Sequence, residues 1–249
     1  MRSALRLSWL EIKLFVRDPM TVLFSLALPV LVLFILGGVF GNTASAPGEQ
    51  IVFRGVGPMS YYVPAYLALV AASVGVISLP AHIAGNRERG VLKRYHASGV
   101  SVWAVAGSQV AVAVVLSTVS AVILLVIARL GYDFALPESI PGSIGVFLLI
   151  VLGFAAFGIL LGSVLRTARS AQAVGVLAWF VMMMLGGAGP PREVLTDQMM
   201  FVSDLTPLWP AVKMIQQPWL GLDPGSAWLV FGGITAVCAG LGVYFFRWE

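Results

Sequence analysis

Twenty-two consecutive residues, Met20 to Gly41, carry no charge. At 1.5 Å per residue a helix of that length reaches about 33 Å, enough to cross ~30 Å of hydrocarbon. Five more such runs follow, over 61–84, 101–127, 144–165, 171–187 and 227–246, and none of the six contains an Asp or a Glu. A chain with this pattern is predicted to be an all-α integral membrane protein of six transmembrane helices, because only internally hydrogen-bonded backbone is tolerated in lipid. Composition agrees: 59% of residues are hydrophobic and 10% charged, against roughly 25% charged in a soluble domain. The 249 residues are expected to form one compact bundle of spans, 1–249, without a second soluble domain.

The connecting stretches add detail. In residues 1–19, Arg2, Arg6, Lys13 and Arg17 fall in one stripe at helical spacing, flanked by Leu5, Trp9, Ile12 and Val16 on one side and Leu7, Leu10 and Leu14 on the other. This predicts an amphipathic helix sunk in the headgroup layer, its cations snorkelling outward, and broken at Asp18-Pro19. Residues 188–225 hold Pro190, Pro191, Pro207, Pro210, Pro218 and Pro224 among Trp209, Trp219 and scattered charges. That stretch is too broken to span and too apolar for a free linker. It is expected to form a re-entrant or short-helix region packed on protein before the sixth span.

Charge fixes an expected orientation. If both termini share one side, that side holds Arg2, Arg6, Lys13, Arg17, Arg87, Arg89, Lys93, Arg94, Arg166, Arg169 and Arg247, and the other only Arg54, Arg129, Arg192 and Lys213. Both termini are therefore predicted to be cytoplasmic. The basic residues sit at the ends of apolar runs rather than on one soluble face, so nucleic acid is not an expected partner. Twelve arginines against three lysines, amid much Ala, Val and Gly, point to a GC-rich bacterial genome and a bacterial plasma (inner) membrane.

Several chemistries are missing. No lysine follows a glycine, so no phosphate-binding Gly-x-x-x-x-Gly-Lys-Ser/Thr loop exists. No His-Glu-x-x-His helix or Gly-x-Ser-x-Gly elbow occurs. Cys238 is the single cysteine and His82 and His96 the only histidines, so no metal set or cofactor of the chain's own is expected, and it reads as a non-enzyme. Without intramembrane carboxylates a proton relay is disfavoured. Uphill transport would need energy from another chain.

The one dense island of charge lies between the second and third spans, within 85–100. Its residues Arg87-Glu88-Arg89-Gly90-Val91-Leu92-Lys93-Arg94-Tyr95-His96-Ala97-Ser98-Gly99 resemble the cytoplasmic coupling segment of type-2 ABC exporter permeases, which often reads Glu-Arg-x-x-Gly-Thr-Leu-x-x-Leu before a small-residue turn. Here the glycine follows Arg89 directly, Val91 stands for Thr and Tyr95 for Leu. Arg17-Asp18-Pro19 is similar to the end of that family's connecting helix, Phe157 to Ser163 to its fourth span, and Asp204 to Pro210 to its re-entrant region. The daunorubicin-export, antibiotic-resistance subgroup is the most similar in kind.

The resemblance implies two six-span subunits, a homodimer or a pair of sister permeases, around a central path. It implies a separate ABC ATPase subunit in two copies, carrying the ATP and Mg, docked through Arg87, Glu88, Arg89, Gly90, Leu92, Lys93, Arg94 and Tyr95. In that reading Glu88, Arg89 and Arg94 face outward while Leu92 and Tyr95 anchor in a groove of the partner. The alternative is a basic loop that sets topology and meets anionic lipid. For a hydrophobic or amphipathic cargo (drug, antibiotic or lipid-like), the candidate path residues are Ser73 and Ser78 in span two and Trp179, Phe180, Met182, Met183 and Met184 in span five. Methionine and aromatic side chains suit varied apolar ligands, and ordinary helix packing is the competing reading. A polysaccharide or glycolipid export permease, or a non-transporting anchor subunit, shares the same architecture.

Overall fold

The computed structural model describes Leu23, residues 27–41 and residues 52–246. The expected amphipathic helix over 1–19, the start of the first span and the C-terminal Arg247-Trp248-Glu249 lie outside the described residues. Within the described residues every regular element is helical.

The innermost element is a continuous helix from Pro58 to Glu88, made of α2 (Pro58–Ser73), a π-helical segment at Val74–Ser78 and α3 (Leu79–Glu88). It follows α1 (Leu28–Phe40). Small residues such as Ala65, Ala68, Ala71, Ala72 and Gly75 let neighbours approach, and nearly every side chain from Tyr61 to Asn86 is buried. The π segment has a covalent cause. Pro80 brings no N–H to the ladder, and the Leu79 N–H reaches back to the Val74 carbonyl, widening the turn.

Around this axis stand α5 (Val102–Gly131), α6 (Ile140–Val164) and α7 (Ala168–Leu185), with α10 (Ala227–Tyr244) packed outside α6. Their starts follow capping chemistry: Ser101 Oγ accepts from the Ala104 amide, Ser139 Oγ from Gly142, and Thr167 and Ser170 form a capping box. Outward residues such as Leu130, Leu177 and Leu229 are exposed, as expected of faces that meet lipid or another apolar surface.

Among the described residues, five helices are long and apolar enough to cross a membrane. The first of the six expected spans appears among the described residues only as α1, 13 residues long, about 20 Å and too short to cross alone. Boundaries also shift. The second span was expected over 61–84, yet its helix runs on to Glu88, so the charged island begins inside the span's last turn. The third continues past 127 to Gly131, where Arg129 pairs with Asp133 one turn on.

The stretch 188–225 folds as a 3-10 turn (Arg192–Val194), α8 (Asp197–Leu205) and α9 (Leu208–Leu220). Helix α9 is mostly buried and packs on α2. It is also tied to the connection between α5 and α6: Trp219 Nε1 donates to the Ala135 carbonyl at 2.9 Å, and the Ser139 amide donates to the Pro218 carbonyl at 3.0 Å. These segments collect at one end of the bundle, the loop end. The charged island lies at the other.

Candidate functional site

At the island end the last turn of α3 carries a polar ladder. Asn86 Nδ2 lies 2.9 Å from His82 Nε2, and Arg89 Nη2 donates to Asn86 Oδ1 at 3.0 Å. Beside it, two consecutive residues grip the turn joining α6 to α7. Arg87 Nη1 donates to the carbonyl of Leu165 at 3.0 Å, and Glu88 Oε2 accepts from the amide of Ala168 at 3.2 Å. Leu165 is the C-cap of α6 and Ala168 the first residue of α7. A cation therefore meets a helix C-terminus and a carboxylate a helix N-terminus, both in the favourable sense of the helix dipole.

The chain then reverses at Gly90, whose φ of 69° is left-handed and strained for any residue with a Cβ. Helix α4 (Val91–Ala97) follows, closed by Gly99 at φ 74°. Lys93 and Arg94 are exposed and Tyr95 is half-buried. Leu92 corrects an expectation. It is expected, with Tyr95, as an apolar anchor in a partner's groove, but it turns inward and is 2% exposed, because α4 packs back against α3 of its own chain. Arg87 and Glu88 likewise engage the Leu165–Ala168 turn, although Glu88 and Arg89 keep exposed surface. Between α3, α4 and the ends of α6 and α10 lies an open cleft of about 860 Å³, lined by Arg87, Glu88, Lys93, Arg166 and Phe245.

The expected path residues separate. Ser73 is buried with its hydroxyl on the Val70 carbonyl, and Ser78 is buried in the π segment. Trp179 points at the central helix, its Nε1 3.4 Å from the Leu69 carbonyl, and Met182 and Met183 are core residues. Phe180 is 52% exposed. Met184 lines an apolar groove of about 720 Å³ with Leu36, Phe40, Phe53 and Pro190. Of the seven candidates, then, Phe180 and Met184 reach a surface and the other five lie in the protomer core.

Sequence reasoning overlooked a cluster at the loop end. Arg54, Arg192 and Lys213 converge on the buried ring of Trp209, at 5.3, 4.7 and 5.4 Å from its centroid. The available signal was that three of the four cations on the cation-poor side belong to it. Among the described residues no group of His, Cys, Asp and Glu is arranged to hold a metal ion.

The family model described as "ABC-2 type transporter" matches residues 3–218, most of the chain. No curated protein matches it.

Proposed function

The chain belongs to the ABC-2 type transporter family, and from that premise we propose that it exports a hydrophobic or amphipathic compound across a bacterial inner membrane. It is a multi-pass permease subunit, and an ABC ATPase is the kind of partner that such a subunit requires. In the proposed arrangement two permease subunits pair, two ATPase copies supply the ATP and Mg, and the charged island is the coupling contact on the cytoplasmic side. The excess of cations at the island end, with Arg87, Arg89, Lys93, Arg94, Arg166 and Arg169, supports that orientation.

One observation carries the coupling reading. Arg87 and Glu88 bind the Leu165–Ala168 turn, so the base of the central helix, the end of α6 and the start of α7 are linked at one point. A force applied to the exposed residues Arg89, Lys93 and Arg94 would move all three elements together. The almost wholly apolar groove beside Met184 supports an apolar cargo over a sugar chain.

The test is reconstitution with an ATPase subunit carrying Walker motifs, scored for association, for coupled hydrolysis and for uptake of a lipophilic dye into inside-out vesicles. Glu88→Ala combined with Gly90→Val is expected to uncouple hydrolysis from uptake. Intact association and coupled hydrolysis in that variant would refute the coupling assignment. Absence of uptake by wild-type complexes would count against the export of apolar cargo.

A further inference from the structure

The cluster around Trp209 opens into a cleft of about 560 Å³ between α9 and the first turn of α10. Its three cations are not equivalent. Arg54 Nε donates to Glu193 Oε1 at 2.8 Å. Arg192 Nη2 lies 2.9 Å from each carboxylate oxygen of Asp204, and Nη1 donates to Ser203 Oγ at 2.9 Å. Lys213 has no such partner: among the described residues no carboxylate lies within ion-pair distance of its ammonium, which faces the Trp209 ring. Asp223, also in the cleft wall, uses an oxygen to accept from the Gly225 amide at 2.8 Å.

Two further observations mark the cleft as built. Arg54 is the one non-glycine residue with positive φ among the described residues, at 56°. Such strain persists where surrounding structure imposes it, and here it brings a guanidinium to the Trp209 ring. On the other wall, the Ser226 hydroxyl stands at the N-cap of α10 without capping that helix, which leaves a donor at the cleft surface.

From this geometry we propose that the cleft binds a phosphate-type oxyanion, held by Lys213 with Ser226 and backed by the Arg192 and Arg54 guanidinium groups. An ammonium half-buried against an aromatic ring and two other cations is stabilised by an incoming anion more than by water. Burial already lowers the Lys213 pKa from the usual lysine value; Asp204 and, less strongly, Asp223 oppose this, and Arg192 and Arg54 add to it. The oxyanion has two available sources, the headgroup of an anionic phospholipid in the leaflet at the loop end or a free phosphate. The site stands apart from the island and does not depend on the coupling reading.

Phosphorus NMR titration of the full chain in phosphatidylcholine nanodiscs separates them, using inorganic phosphate, dioctanoyl phosphatidylglycerol and dioctanoyl phosphatidylcholine as probes. Phosphatidylglycerol is expected to bind, with Lys213→Gln weakening it by about tenfold or more and Lys213→Arg staying within about threefold of wild type. Lysine-dependent binding of phosphatidylglycerol alone assigns the lipid headgroup. Equal lysine-dependent binding of inorganic phosphate assigns the free anion and equally supports the site. Wild-type affinity for every probe in Lys213→Gln, or phosphatidylcholine binding as tightly as phosphatidylglycerol, would overturn the proposal.

Discussion

Gly158 of α6 lies directly against the carbonyl oxygen of Gly75 in the π segment, so close that a Cβ at Gly158 would collide with it. The neighbouring Val76 carbonyl meets Gly175 of α7 in the same way. In a regular helix the donor to the Val76 carbonyl would be the N–H of residue 80, which Pro80 lacks. The carbonyls at this break are therefore covered by glycine backbone from two neighbouring helices, a contact in which weak Cα–H donors take part. The membrane-spanning core crosses most tightly where its central helix leaves α-helical register.

A side chain at Gly158 should therefore be costly. Gly158→Ala is expected to destabilise by about 1–3 kcal/mol, the usual range for overpacking, and Gly158→Val by more. Gly145→Ala, on the same helix with nothing within 4 Å, is the control and should be neutral or slightly stabilising. Thermal unfolding in one detergent checks this. Equal melting temperatures for Gly158→Ala and Gly145→Ala would show that the two helices do not meet as described.

The Glu88 contact predicts a local effect. Removing the carboxylate leaves the Ala168 amide, at the first position of α7, without its acceptor. For a solvent-exposed contact of this kind the loss is about 1 kcal/mol, or roughly fivefold in amide protection. Hydrogen exchange over residues 166–171 is expected to quicken in Glu88→Ala and much less in Glu88→Gln, which keeps an acceptor oxygen. An unchanged exchange rate in Glu88→Ala would remove the link between the island and α7.

Gly90 should be intolerant for a backbone reason alone. Nothing lies within 4 Å of a Cβ built there, yet its φ is +69°. Gly90→Ala is expected to strain the reversal by about 1–2 kcal/mol, with Gly90→Asn milder because Asn tolerates the left-handed region. The strain should appear as faster exchange in α4 with little change in global melting. A global loss of stability would mean that α4 and the bundle unfold together.

The sequence revealed the apolar runs and the alternation of charge between ends, because each depends on local chemistry. It placed the starts of α6 and α7 a few residues late, at 144 and 171 instead of Ile140 and Ala168. Ser101, Ser139 and Thr167 cap α5, α6 and α7 in the structure, a local signal that the apolar runs alone did not use. What depends on a distant neighbour was hidden. Seven residues of α4 present Leu92 as an apolar tooth, but only the fold shows that its own chain occupies that face. Met182, Met183 and Met184 read alike in sequence, while helical rotation sends the first two into the core and the third to a groove. The cations on Trp209 are far apart in the chain, and no pattern in the sequence joins them.

Arg54 allows opposing effects to be separated. Its ion pair with Glu193 is partly shielded, with side-chain exposures of 29% and 23%, and is expected to contribute about 1 kcal/mol. Its left-handed backbone costs about 1–2 kcal/mol. Arg54→Ala loses the pair and keeps the strain, whereas Arg54→Gly loses the pair and relieves it. The glycine variant should therefore melt higher than the alanine variant, the reverse of the usual order outside left-handed positions. With Glu193→Gln as background, Arg54→Ala should cost less than in wild type by the energy of the pair. If Arg54→Gly melts below Arg54→Ala, the left-handed backbone at this position is wrong, and with it the strain argument for the Trp209 cleft.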